Sequence, residues 1–178
     1  MLGDDLLGVA LTGSLALDAY EPGRSDLDVI AVVSRPLARE HADALVDAVS
    51  HRALPCPAKR LELVVVRRGG AAFELDLDTG AGIPDHVGLD PDAEPTFWFP
   101  IDVAIARARG RSLLGPPPRE LLDEPPPETT RQAVLESLDW HAEHEPTSPN
   151  AILNACRGWR WARTGRWTSK RRAAEWAR

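Results

Sequence analysis

The residues of this 178-residue chain best suited to chemistry are acidic, and their spacing indicates what they could hold. Asp26-Leu27-Asp28 opens an apolar run, and positions i and i+2 of a strand face the same side. Two carboxylates held that close repel each other unless a positive charge sits between them. A hard divalent cation with oxygen ligands, Mg²⁺, is the natural partner, and such an ion is usually shared with substrate phosphates. Eleven residues separate Gly13-Ser14 from this pair, upstream of it. The glycine lets the backbone approach a phosphate, and Ser14 adds a hydroxyl and an amide at the start of a short helix. Glu62 interrupts the apolar run Leu61–Val66, where a charge is rarely buried unless it is paired or bound to a metal. Each piece also has a plainer reading: Asp-x-Asp as solvated turn residues, Gly-Ser as a simple turn, and Glu62 as an outward-facing position.

Elements that could bring these residues together are visible as alternating or β-branched runs at Leu6–Leu11, Asp28–Val33, Leu61–Val66 and Ala72–Leu77. If the strand of Glu62 neighbours that of Asp26 and Asp28, the three acids converge. Ser34-Arg35-Pro36 reads as the cap of a helix that runs to about Ser50 and places Leu37, Leu45, Val46 and Val49 on one face. The stretch from Gly80 to Pro95, rich in Gly, Pro and Asp, reads as a long loop over the sheet rather than a further element. A helix is expected from about Asp102 to Arg109, followed by breaks at Gly115-Pro116-Pro117-Pro118 and Pro125-Pro126-Pro127. Further helices are expected at Thr130–His141, Asn150–Thr164 and Ser169–Arg178. The fold class expected is α+β, a small mixed sheet with flanking helices over residues 1–115 followed by an all-α unit over 116–178.

With 43% hydrophobic and 27% charged residues the composition is that of a globular protein, which excludes disordered, collagen-like and coiled-coil classes. The net charge of -6 conceals a split, because residues 150–178 carry eight Lys/Arg against one acid, Glu175. Cys56 and Cys156 make no disulfide framework and read as free buried thiols. No apolar run is long enough to span a membrane and no export leader is visible, so a soluble cytoplasmic protein without a membrane partner is expected. The basic end, interleaved with Trp159, Trp161, Trp167 and Trp176, has the composition of a nucleic-acid grip, but a chain of pI about 5.4 weighs against that partner.

Gly-Ser, a spacer, Ser-Asp-x-Asp and a later strand Glu resemble the DNA polymerase β-like nucleotidyltransferase superfamily. Leu113-Leu114-Gly115-Pro116, Asn150–Arg157, Thr164–Lys170 and Ala174-Glu175-Trp176-Ala177 extend the likeness to the aminoglycoside adenylyltransferases that act on streptomycin and spectinomycin. The resemblance covers nearly the whole chain. It implies a nucleotidyltransferase domain over 1–115 and the start of a C-terminal helical domain over 116–178. It also implies transfer of AMP from ATP to a hydroxyl of a cationic aminoglycoside or aminocyclitol, with pyrophosphate leaving. In that scheme Asp26 and Asp28 hold Mg²⁺, and Glu62 is the general base. Gly13, Ser14 and Ser25 cradle phosphates. Arg157 and Lys170 reach the ATP phosphates from the helical domain, and Trp140 and Glu143 contact the drug.

The same resemblance implies a chain shortened at both ends, because family members carry a helix ahead of the Gly-Ser strand and further helices after Ala-Glu-Trp-Ala. A truncated helical domain would leave apolar surface open to self-association. Two alternatives follow from the residues, since fold and metal site do not fix the acceptor: a nucleotidyltransferase with a protein or other small-molecule acceptor, and a truncated non-catalytic remnant.

Overall fold

A computed structural model describes residues 2–178. Its framework is one six-stranded mixed sheet. The strands are β1 (Leu6–Leu11), β2 (Leu27–Val33), β3 (Arg60–Arg67), β4 (Phe73–Gly80), β5 (His86–Gly88) and β6 (Arg111–Leu114), in the spatial order β5-β4-β3-β2-β1-β6. Only β2 and β3 pair in parallel; every other neighbouring pair is antiparallel. A parallel pair needs a crossover, and α2 (Arg39–Val49) supplies it.

The alternation read from the sequence assigns the two faces. Ala31, Val33, Leu63, Val65, Leu75 and Leu77 point toward α2, where Leu37, Leu45, Val46 and Val49 meet them. Ile30, Val32, Val66 and Phe73 point the other way, onto Phe99, Val103 and Ala106 of α3 (Trp98–Arg109). The remaining helices among the described residues are α1 (Gly13–Ala16), α4 (Pro118–Leu121), α5 (Pro127–His144), α6 (Pro149–Thr164) and α7 (Lys170–Trp176).

α3 is buried on two sides. Ile101 and Ile105 pack with Leu17, Ala133, Val134 and Trp167, so this helix joins the sheet to the bundle of α5, α6 and α7. A helix sandwiched this way is apolar almost all round. α4 packs against the sheet, because Leu121 and Leu122 share the cluster of Ile30 and Phe99. Ser148 and Ser169 cap α6 and α7 through their side-chain oxygens, and Gly165 ends α6 in the left-handed conformation.

Five sequence expectations need correction. Ser34 does not cap α2: its hydroxyl donates to Asp5, and the helix begins at Arg39 after Ala38. The stretch Gly80–Pro95 is not all loop, since β4 runs to Gly80 and His86–Gly88 adds an edge strand. α3 starts at Trp98 rather than near Asp102, because Pro100 falls in its first turn, where the missing N–H has no helical partner to lose. β6 was not anticipated; its four residues are all exposed and show no burial alternation. Both cysteines are free thiols, half-buried rather than buried.

Candidate functional site

The central feature is a matter of register. Asp28 on β2 stands opposite Glu62 on β3, and Glu62 stands opposite Asp78 on β4. Side chains at paired positions share a face, so these carboxylates lie side by side on the α3 side of the sheet, with Asp76 two residues from Asp78 on the same face. Asp26 sits just before β2. A narrow cleft between the sheet and α3 is lined by Thr12, Asp28, Glu62, Trp98, Phe99 and Asp102 among others.

Gly13 and Ser14 close one end of this row. Ser14 donates its backbone N–H to Asp28 Oδ2 at 3.3 Å. Gly13 has φ +53°, and a Cβ at this position would lie 2.0 Å from that same oxygen, so only glycine lets the turn sit against the carboxylate. Ser25 is placed differently: its hydroxyl accepts from Glu21 N–H at 3.0 Å and so ties down the loop ahead of Asp26.

In the protein alone, Arg60 supplies the positive charge these acids require. Its guanidinium pairs with Asp26 at 3.2 Å, with Asp78 at 3.5 Å and with Glu62, and Lys59 stands 3.8 Å from Asp26. Burial raises the Glu62 carboxyl well above the ordinary range; Arg60 opposes the rise, and Asp28, Asp78 and Asp26 add to it. Burial also raises Asp28, while its contact with Glu62, the Ser14 N–H and the charge of Lys170 pull it back.

Among the described residues, no three His, Cys, Asp or Glu side chains close into a cage for a metal ion. Asp26 and Asp28 nevertheless fit a hard divalent cation that takes its other ligands from a phosphate. They offer only oxygen, and Asp26 Oδ1 is buried without a hydrogen-bond partner, as are the Thr12 and Ser14 hydroxyls beside the row.

α6 and α7 supply two cations, Arg157 and Lys170, whose charges act on these acids. Arg157 is half-buried, and its guanidinium donates to Asn154 Oδ1 at 3.1 Å. Lys170 Nζ donates to Asn150 Oδ1 at 2.7 Å. Burial and then the charge of Arg157 lower Lys170 to about 8, while Asp102, Glu62 and Asp28 pull it back up. These mutual effects put Arg157 and Lys170 within electrostatic reach of the sheet carboxylates. Asp102, on α3, was not singled out from the sequence as a site residue. Burial raises its carboxyl to about 7, with Arg157 as the main opposing charge. The available signal was an acid inside an otherwise apolar helix. For Arg60 it was a base two positions before Glu62, on the same strand face.

The Trp140 ring lies 5.8 Å from Phe97, the residue preceding the cleft-lining Trp98, and stacks on His144 at 4.8 Å. Glu143 is exposed on the last turn of α5. The acidic face continues away from Arg60 through Asp76, whose carboxyl burial raises to about 6, to His86, which stands 3.7 Å from Asp76 and 3.1 Å from Glu94. A roomier hollow of about 510 Å³ lies beside α2 on the opposite face of the sheet; its Arg39 and Arg67 are paired with Asp43 and Glu74, and it contains none of the motif residues.

Residues 120–178 match the family model of the aminoglycoside adenylyltransferase C-terminal domain. The spectinomycin 9-adenylyltransferases of Staphylococcus aureus strains Mu50 and N315 are each 28% identical to this chain over 189 residues, covering 99% of it and 72% of the relative. A solved structure of spectinomycin adenyltransferase AAD(9) from Enterococcus faecialis, determined with ATP and spectinomycin, superposes with a TM-score of 0.71. It covers 97% of this chain and 74% of its own at 21% identity, a likeness of fold. No helix among the described residues is long and apolar enough to cross a membrane.

Proposed function

Taking the chain as an aminoglycoside adenylyltransferase-like protein, we propose that it transfers AMP from ATP to a hydroxyl of a cationic aminoglycoside or aminocyclitol. The observation that carries this reading is that two charged banks lie within electrostatic reach of each other. Asp28 and Glu62 are in register on β2 and β3, and Arg157 of α6 and Lys170 of α7 act on the same group of acids through their charge. One bank suits a proton transfer and an oxygen-ligated cation; the other suits a polyphosphate.

Asp26 and Asp28 would hold Mg²⁺, which when bound neutralises the triphosphate and polarises the α-phosphorus for in-line attack. Glu62 takes the proton of the acceptor hydroxyl as the acceptor oxygen bonds to the α-phosphorus. The bond from that phosphorus to the bridging oxygen breaks, and pyrophosphate leaves with the electron pair. A half-buried carboxylate of raised proton affinity is suited to the first of these events once it is ionised, and Arg60 beside it favours that form.

The Gly13-Ser14 turn receives a phosphate beside Asp28, and Ser25 supports it through the loop it ties. Arg157 grips phosphate oxygens as a fork of donors and Lys170 as a point charge. Asn154 and Asn150 hold these two cations by hydrogen bonds, and the charge of Asp102 acts on both. Trp140, Glu143 and the acidic face of Asp76, Asp78 and Glu94 offer an aromatic surface and negative charge to a cationic acceptor. In domain terms, residues 1–115 form the catalytic unit and residues 116–178 the helical unit, with α4 packed on the former.

Incubating the 178-residue protein with ATP, Mg²⁺ and a panel containing spectinomycin and streptomycin, while following pyrophosphate, tests this. Release that requires a drug and disappears in Asp28→Asn is expected. Release only with a protein acceptor would replace the acceptor class, and undiminished release in Asp28→Asn would overturn the site.

A further inference from the structure

We propose that Asn154 and His141 are positioning residues that hold the Arg157 guanidinium in place, a proposal that rests on the reading of Arg157 as a phosphate ligand. α5 and α6 lie in close contact at this level: Gly158 is buried, and a Cβ on it would lie 2.6 Å from Val134 Cγ1. That approach brings His141 of α5 against Asn154 of α6.

A chain of hydrogen bonds then runs from the α5 backbone to the guanidinium. His141 Nδ1 lies 2.6 Å from the Ser137 carbonyl, and His141 Nε2 lies 2.9 Å from Asn154 Nδ2. Asn154 Oδ1 accepts from Arg157 Nη2 at 3.1 Å. A carbonyl can only accept, so Nδ1 carries the imidazole proton and Nε2 offers a lone pair. The Asn154 amide must donate to that lone pair, which turns its oxygen toward Arg157. Flipping the amide would set an NH₂ group against the guanidinium and leave two donors facing each other.

Arg157 needs such a holder. Among the described residues no carboxylate lies within the 4.0 Å ion-pair distance of its guanidinium, and Asn154 is its side-chain hydrogen-bond partner. One Nη2–H is thereby committed to Asn154, which leaves the other donors of the planar fork for a further partner, and Asp102 and Asp28 are the acids whose charges act on the guanidinium. A long flexible side chain fixed at one nitrogen loses less freedom when phosphate oxygens bind the others.

The test is Mg-ATP affinity, measured by calorimetry on the full chain. Asn154→Ala should weaken it about tenfold and His141→Phe about threefold, estimates scaled to a hydrogen bond on a charged group. In an Arg157→Ala background neither change should weaken binding further by more than about twofold, the non-additivity of residues acting through one partner. A purely structural role for Asn154 or His141 would persist in that background. Affinity within twofold of wild type in Asn154→Ala, or a full tenfold loss that survives in the Arg157→Ala background, would overturn the relay. His141→Phe provides the same comparison if Asn154→Ala does not fold. Wild-type affinity in Arg157→Ala itself would overturn both the relay and the phosphate reading, whereas weak binding there beside wild-type binding in Asn154→Ala would overturn the relay alone.

Discussion

On the sheet bank of the cleft, Asp28 and Glu62 are placed by backbone register, whereas on the helical bank Arg157 and Lys170 are placed side chain to side chain, by Asn154 and Asn150. The first arrangement follows from strand pairing that also buries Ile30, Val32 and Val64 on the same face, so shifting it would turn the apolar side chains to the wrong side. The second depends on packing between helices and on two amide side chains. Charge follows the same division, since burial raises the sheet carboxyls and lowers Lys170. Each bank holds groups that burial alone would discharge, and each lends the other part of the opposing charge. The sheet bank is therefore the fixed half of the site, and the helical bank is the half whose affinity single side chains can tune.

The largest effect that can break this comparison belongs to the fixed bank. Glu62→Gln should lower kcat by about 10²–10⁴-fold, the usual contribution of a positioned base, while leaving Mg-ATP affinity close to wild type. A loss confined to nucleotide affinity would move Glu62 out of the proton-transfer role. Next in size is Gly13→Ala, which both strains a left-handed residue and drives a methyl group into the Asp28 carboxylate. It should lower unfolding free energy by about 1–3 kcal/mol, read by denaturant titration, and displace Asp28. An unchanged midpoint would mean that the turn does not press on Asp28 as described.

The smallest effect concerns the tunable bank. Lys170 has a folded pKa of about 8 against an ordinary value of 10.5, so between these pH values the unfolded chain binds more protons than the folded one. Its contribution to stability is then present above about 10.5 and lost as pH falls through 8; equivalently, stability rises with pH across that window. Lys170→Met should remove this slope and be more stable than wild type at pH 7 while binding ATP less well. Equal slopes in the two proteins would show that Lys170 is not held in its charged form at a cost.

The fold was largely legible because its elements bury one face in a regular period. The apolar pattern in Leu61–Val66 and in Phe73–Leu77 assigns both faces of the sheet, and the one acid that breaks the first run, Glu62, marks the cleft. β5 and β6 were not legible, since strands of three and four residues at exposed edges are made by backbone pairing and leave no burial pattern. In the site, Asp26, Asp28 and Glu62 stood out as charges in apolar surroundings. Arg60 and Asp102 did not, because each has meaning only through residues that the fold brings near, Asp78 on β4 for one and Arg157 on α6 for the other. The capping error at Ser34 has the same origin: a hydroxyl well placed for a helix start was taken by Asp5, 29 positions earlier in the chain. Ile152 and Trp159 of α6 and Trp176 of α7 are exposed, and the two tryptophan rings pack edge to face.

The central claim is that both banks hold one nucleotide. Calorimetric titration of Mg-ATP into wild type, Asp28→Asn and Arg157→Ala tests it most directly. A single site in the wild type, weakened about tenfold or more by either substitution, is the expected result. Wild-type affinity in either variant would contradict the account, because it would leave one bank without a part in binding.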